Sequence, residues 1–429
     1  MNFRIALHTT AKSLRYLALL LLCISFSTPS YAAPANNSGN ARPSLPQRAK
    51  SRISKIWRGL FPSRPAKDVA SATPRQRAAV RFSRFWNRLH RLRPKEKYDR
   101  ALNAALGALH REKTTADKRS QGVVHLDERK PTLVISDIHG RMDYLLSVLM
   151  TKNPEYGGKT HLSLLKSGEL QVVLLGDALH TEHPNAWTEI SNHLFQGPNL
   201  VSEPLEQEVA VSLNTMSYIM HLKGRYAQNF HYIKGNHDNI RNSDANGDRG
   251  FRKFLRGAIG DGQVFEHFVR TQFGKRFLEK WAAFEAALPI MAKGKNVLLS
   301  HSGPKTGLTR GEIEQRSTNA IQGLTWTNLV KKDAIQSEAA SSLLRQFEMP
   351  SGIYLAGHRH PAGSVKFTKQ GPFYQFNPDA PNQHYAILPA HRGFNAEYDI
   401  REAAPWSKHL VQRDGKAESV EASLRAMGL

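Results

Sequence analysis

Thr132-Leu133-Val134-Ile135-Ser136-Asp137-Ile138-His139-Gly140 is the stretch that decides how this chain folds. A β-rich run closed by Ser136 predicts a short strand, and the Asp-x-His-Gly that follows predicts a loop carrying a carboxylate and an imidazole at the strand tip. The arrangement recurs along the chain. Gln171-Val172-Val173-Leu174-Leu175 runs into Gly176-Asp177, and Phe230-His231-Tyr232-Ile233-Lys234 into Gly235-Asn236-His237-Asp238. Asn296-Val297-Leu298-Leu299-Ser300 leads to His301, and Ile353-Tyr354-Leu355-Ala356 to Gly357-His358-Arg359-His360. Five strands each deliver polar groups at one end.

The residue types define the chemistry. Carboxylate, imidazole and amide groups suit hard or borderline divalent and trivalent ions, and no cysteine accompanies them to indicate a soft site. Asp137, His139, Asp177, Asn236, His301 and His358, buried at strand ends without a cation, would leave costly unpaired polar atoms. Two ions close together, sharing one carboxylate, would clamp phosphate oxygens and sharpen a bound water into a nucleophile. Lone histidines such as His221 and His231 carry no such implication, because a satisfied or surface imidazole is the default.

In order and context the five blocks resemble those of the calcineurin-like metallophosphoesterase superfamily: D-x-H, G-D, G-N-H-D/E, a lone H after a strand, and G-H-x-H. Asp137-Ile138-His139-Gly140-Arg141 followed by Asp143-Tyr144-Leu145-Leu146, and Phe284-Glu285-Ala286-Ala287-Leu288-Pro289-Ile290 ahead of His301-Ser302-Gly303, are most similar to its phosphoprotein phosphatase (PPP) branch. The resemblance spans about residues 130 to 390. It implies an α/β, four-layer metallophosphoesterase fold, a two-sheet β-sandwich flanked by α-helices. It also implies two divalent or trivalent ions, of manganese, iron or zinc. Asp137, His139 and His360 would hold one ion and Asn236, His301 and His358 the other, with Asp177 bridging. The implied reaction is phosphomonoester hydrolysis, with phosphoserine and phosphothreonine proteins favoured as substrates. A metal-bound hydroxide would attack phosphorus while His237, oriented by Asp238, protonates the departing oxygen as general acid.

The chain departs from the PPP pattern in its second block. Where the family has a second aspartate and then an arginine, this sequence has His180 and Thr181. The usual bidentate grip on substrate phosphate is therefore missing from its place, and Arg141, Arg241 and Arg359 are the candidates to replace it. His360 is a further departure, as are Asp238 in place of glutamate and Ser302 in place of glycine. These changes keep a phosphodiesterase, or a nucleotide hydrolase of the diadenosine polyphosphate type, open as an alternative. A non-catalytic scaffold working through the basic N-terminal region is a reading of another class, opposed by the intact ligands and His237.

With 429 residues, 40% of them hydrophobic, the chain is long enough for one large catalytic domain and an accessory segment. Arg4, Lys12 and Arg15 precede the apolar run from Tyr16 to Phe26, and Ser30-Tyr31-Ala32 offers a small-x-small cleavage site, so residues 1–32 read as a secretory signal. That run falls short of the roughly 20 residues that span a bilayer, which disfavours an uncleaved anchor. The single cysteine, Cys23, lies inside the signal, so the exported protein, periplasmic or secreted, would form no disulfide.

Charge is concentrated in the next segment. Residues 41–120 hold 22 Lys and Arg against 5 Asp and Glu, which is +17 of the formal +24. After a Pro/Ser/Asn-rich linker, apolar residues recur at helical spacing around Ile53–Phe61, Val80–Leu92 and Tyr98–Leu109, predicting a basic helical N-terminal arm over 33–120. Its apolar faces need a partner: the catalytic domain, an anionic membrane surface, which would leave the enzyme membrane-associated, or another protein. A basic stripe attracts polyanions without specifying one, so no specific nucleic-acid recognition is expected. The expected catalytic domain runs over 121–400, and 401–429 forms a tail with a surface helix at Glu418–Met427.

Overall fold

The computed structural model describes residues 83–115, 121–194, 202–255, 259–327, 333–361, 365–376, 383–406 and 409. The expected signal, the first arm helix and the C-terminal surface helix lie outside the described residues. A compact unit runs from Arg88 to His409, and it holds all five polar blocks.

The strands are β1 (Val123–His125), β2 (Thr132–Ile135), β3 (Lys152–Asn153), β4 (Lys159–Thr160), β5 (Gln171–Leu174), β6 (Phe230–Tyr232), β7 (Met291–Lys293), β8 (Val297–Ser300), β9 (Ile353–Ala356), β10 (Thr368–Gln370), β11 (Phe373–Gln375), β12 (His384–Leu388) and β13 (Ile400–Glu402). Among the described residues they form a six-stranded sheet in the order β1-β7-β8-β9-β11-β10, a five-stranded sheet in the order β13-β12-β2-β5-β6, and the β3-β4 hairpin. Both large sheets are mixed.

Alternation along the strands builds the sandwich. Val134, Val173 and Ala386 from the five-stranded sheet share one core with Ala292, Leu299 and Leu355 from the six-stranded sheet. Their neighbours one residue away, Leu298 and Tyr354, point outward into a second core. There they meet Ile313, Leu324 and Leu343, which lie on helices Arg310–Glu314, Thr318–Thr325 and Asp333–Gln346. An α/β sandwich with helices on its outer faces is the expected four-layer architecture.

Helix α1 (Lys95–Thr115) corrects the expected domain edge. The third predicted arm helix is not an appendage: the compact unit begins at Arg88 and not at 121. Tyr98, Leu102, Ala105 and Leu109, spaced at helical intervals, are buried against α2 (Glu203–Arg225), which packs beside β6. Tyr98 Oη donates to Asn214 Oδ1 at 3.0 Å, and Lys223 Nζ pairs with Glu112. The two helices touch closely enough that a methyl group on Gly224 would stand 2.7 Å from Ala104 Cβ. Each buried leucine here stabilises the docking by about 1.5–3 kcal/mol. Arg100 and Arg111 lie exposed on the wet face of this core helix.

Strand direction positions the site. β2, β5 and β6 are mutually parallel, as are β8 and β9, so each parallel set releases its following loops at one edge. Those loops carry Asp137, Asp177, Asn236 and His237 from one sheet, and His301 and His358 from the other.

Candidate metal centre

The loops interlock before any side chain reaches the centre. Asp177 O accepts from the N–H groups of Ile138 (3.1 Å) and His139 (2.6 Å), tying the second block to the first. Gly357 N–H donates to His301 O at 2.8 Å, tying the fifth to the fourth. The approach is too close for a side chain at Gly357, where a Cβ would lie 2.6 Å from Asp137 Oδ1. His139, Asp177, His180 and His358 all have positive φ, between 45° and 68°. Left-handed backbone costs L-residues roughly 1–2 kcal/mol, and its clustering here marks a site whose shape the surrounding hydrogen bonds enforce.

On one side of the centre, His301 Nδ1 faces Leu175 O at 2.8 Å. An Nδ1–H donated there leaves a lone pair on Nε2. That Nε2 lies 2.7 Å from Asn236 Oδ1, 3.1 Å from His358 Nδ1 and 3.3 Å from Asp177 Oδ2. On the other side, His139 Nδ1 faces His180 O at 3.0 Å, which sets the same tautomer. Its Nε2 lies 3.6 Å from Asp177 Oδ2, 3.9 Å from Asp137 Oδ2 and 3.9 Å from Glu182 Oε1.

These atoms fit metal ions. Imidazole nitrogens and several carboxylate oxygens converge in groups spaced as ligands around a cation: Asp177-His301-His358, Asp137-His139-Asp177 and His139-Glu182-His237. Burial, with Asp137 and Asp238 close by, pushes the Asp177 carboxyl well up, and a bound cation reverses that cost. Burial and the nearby His301 ring push His358 well down, and its buried Nε2 has no hydrogen-bond partner among the described residues.

Asp137, His139, Asp177, Asn236, His301 and His358 are thus brought together. His360 is not: it is 39% exposed, with Nε2 4.0 Å from Glu182 Oε2. The left-handed turn at His358 ends the strand alternation that would have aimed residues 358 and 360 alike. Glu182 stands at the His139 side where His360 was expected.

Asp238 also differs from expectation. Its Oδ2 accepts from Gly235 N–H (2.7 Å) and Asp177 N–H (3.2 Å), and its Oδ1 accepts from Tyr232 Oη (2.5 Å). It staples the loops together and does not orient His237. The group facing His237 is His180, with the two Nδ1 atoms 3.2 Å apart. His180 stacks on Phe251 at 4.8 Å between centroids and meets Phe265 edge-on. Burial, then the neighbouring His139, pushes His180 down to about 3, and burial, His139 and His180 push His237 well below its usual value.

The three arginines separate. Arg141 donates from Nε to Ile138 O (3.1 Å) and from Nη2 to Asp137 O (3.0 Å), so it clamps the first loop. Arg241 is half exposed, 4.0 Å from Glu279. Arg359 lies close enough to His358 to depress it.

Two further residues escaped sequence reasoning. Lys253 pairs with Glu182 and lies over the Phe254 ring. Glu208, buried on α2, accepts from Thr181 N–H at 2.7 Å and from Thr181 Oγ1, pinning the altered block. The change at 180–182 was the available signal for Glu182.

The family model for calcineurin-like phosphoesterases matches residues 130–385. Among solved structures, the chain is similar to a protein serine/threonine phosphatase from Saccharomyces cerevisiae with similarity to human phosphatase PP5, at 16% identity and a TM-score of 0.46, covering 72% of this chain and 90% of that one. It is also similar to a cold-active protein-tyrosine phosphatase of a psychrophilic Shewanella species, at 12% identity and a TM-score of 0.36, covering 64% and 80%. No curated protein matched.

Proposed function

The chain belongs to the calcineurin-like phosphoesterase family and is a metal-dependent phosphoester hydrolase; from that premise we propose that it is a dinuclear phosphatase acting on phosphomonoesters, with phosphoserine and phosphothreonine proteins as the leading substrate class. One observation carries the dinuclear reading. Asp177 Oδ2 lies 3.3 Å from His301 Nε2 and 3.6 Å from His139 Nε2, and each of those rings has its Nδ1 committed to a backbone carbonyl. One carboxylate oxygen between two lone pairs is what a bridging ligand requires.

Asn236, His301 and His358 would hold one ion, Asp137 and His139 the other, with manganese, iron and zinc all compatible with the donors. Such ions supply charge to phosphate oxygens and a nucleophile at neutral pH. The protein's own groups position and protonate. His237 N–H donates to Asp177 Oδ1 at 2.7 Å, which fixes its backbone beside the bridging carboxylate. One proton lies between the Nδ1 atoms of His180 and His237; with His180 as donor, His237 carries its own proton on Nε2, ready for the departing oxygen. Arg359 and Lys253 are the cations beside the site that would grip phosphate in place of the arginine absent at 181.

The N-terminal 32 residues support export, and membrane attraction would fall to the basic segment ahead of Arg88, since α1 is already engaged in the core. The deciding experiment pairs metal analysis with turnover of an aryl phosphate monoester, its diester and a diadenosine polyphosphate. Wild type should hold about two ions and favour the monoester. Asp177→Asn should lose metal and activity together, while His237→Ala should keep its metal and fall on the order of a hundredfold. Preference for the diester would reject the monoesterase reading, and full activity in His237→Ala would reject the proposed acid.

A further inference from the structure

The altered second block replaces the family's arginine with threonine, yet the loop is more firmly built than a lost function would require. His180 N–H donates to Ser212 Oγ at 3.0 Å, Thr181 is held through its N–H and Oγ1 by Glu208, and Trp187 Nε1 donates to Thr181 O at 2.9 Å. A loop fixed at residues 180 and 181 presents residue 182 in a fixed direction. That direction is into the site.

Three carboxylates surround the metal-facing nitrogen of His139. Asp177 Oδ2 lies 3.6 Å from Nε2, Asp137 Oδ2 lies 3.9 Å away, and Glu182 Oε1 also lies 3.9 Å away. Ligands bonded at about 2.1 Å around one ion stand roughly 3 to 4.2 Å from each other, depending on whether they are adjacent or opposite. Glu182 meets that requirement toward His139 as Asp137 does, and its carboxylate, His139 and His237 form a group whose ligand atoms all lie within 4.8 Å of one another. Its ion pair with Lys253 does not account for the placement, because that lysine is 48% exposed, and an exposed partner contributes little toward burying a carboxylate that is itself only 22% exposed.

The geometry points to Glu182 as a further protein ligand of the ion on the His139 side, a role that rests on the dinuclear reading above. The two halves of the centre become unequal. The His301 side is built from two imidazoles, an amide and the shared carboxylate; the His139 side is built from one imidazole and three carboxylates. An oxygen-rich donor set favours a harder ion such as manganese over zinc.

Full-length protein stripped of metal and titrated calorimetrically with MnCl2 tests this. Wild type should bind two ions. Glu182→Gln, nearly isosteric, should weaken one of them at least about tenfold and leave the other within about threefold. Lys253→Met breaks the same ion pair but keeps the carboxylate, and both affinities should stay within about threefold of wild type. Two unchanged affinities in Glu182→Gln would overturn the proposal. An equal loss in Lys253→Met would overturn it too, by making the ion pair and not the carboxylate the cause. Wild type that binds fewer than two ions would instead bring down the dinuclear reading, and this proposal with it.

Discussion

Gly235→Ala should disable the site by steric means alone, without touching a ligand. A Cβ at 235 would stand 2.6 Å from Asp177 N and closer still to Asp177 Oδ1, against about 3.4 Å for an ordinary contact. Something must yield by about 0.8 Å. The Asp177 amide cannot move freely, because its N–H is bonded to Asp238 Oδ2 and its C=O to the amides of Ile138 and His139. The strain therefore falls on the carboxylate between the two histidines. Overpacking of this kind costs about 1–3 kcal/mol of stability, and a displacement near 1 Å at a reacting centre costs on the order of a hundredfold in rate. The assay is thermal unfolding together with metal content and monoester turnover. Gly311→Ala, where the added methyl meets nothing within 4 Å, is the control and should behave as wild type. If Gly235→Ala kept two ions and turned over within about threefold of wild type, the bridging carboxylate would not be where activity is decided.

Glu208 should make stability depend on pH in the unusual direction. Burial raises its carboxyl from 4.5 to about 7, so the folded protein retains a proton that the unfolded chain releases. Its contribution is fully present below pH 4.5 and is lost as pH rises through 7, a change of about 3 kcal/mol. Glu208→Gln, which can still pair with Thr181, should flatten that slope in urea unfolding; an unchanged slope would place the proton elsewhere. Truncation separates the basic segment from the core: removal of residues 1–87 should leave a folded, active phosphatase, whereas removal of 1–120 takes α1 away and exposes the face of α2 that carries Asn214. A stable, active protein starting at 121 would show that α1 is dispensable.

The five strands and their polar tips were legible because each strand is short, β-rich and closed by a small or polar residue, and because parallel strands release their loops at one edge. The convergence of Asp137, Asp177, Asn236 and His301 at that edge follows from it directly. Helix α1 was not legible as core, since a basic amphipathic stripe looks the same whether its apolar face meets a membrane or α2; Asn214 and Gly224, far away in sequence, decide it. His360 was placed by the resemblance alone, which carries no record of the left-handed turn at His358. Asp238 was given to His237 as part of the resemblance, but its carboxylate is taken up by the amides of Gly235 and Asp177 and the hydroxyl of Tyr232. Glu182 and His180 sit in the block that lacks the family's second aspartate and arginine, and only a fold that brings residue 182 beside 139 reveals their nearness to the site.

The left-handed backbone at His139, Asp177, His180 and His358 has a consequence for reading related sequences. Histidine and aspartate enter that conformation more readily than bulky or β-branched residues, so the chain path itself selects for them. A descendant that had abandoned hydrolysis would keep these letters for the sake of its shape. Asp137, Asn236, His237 and His301 have no such conformational reason to persist, and their erosion is where a silent copy of this enzyme would first declare itself.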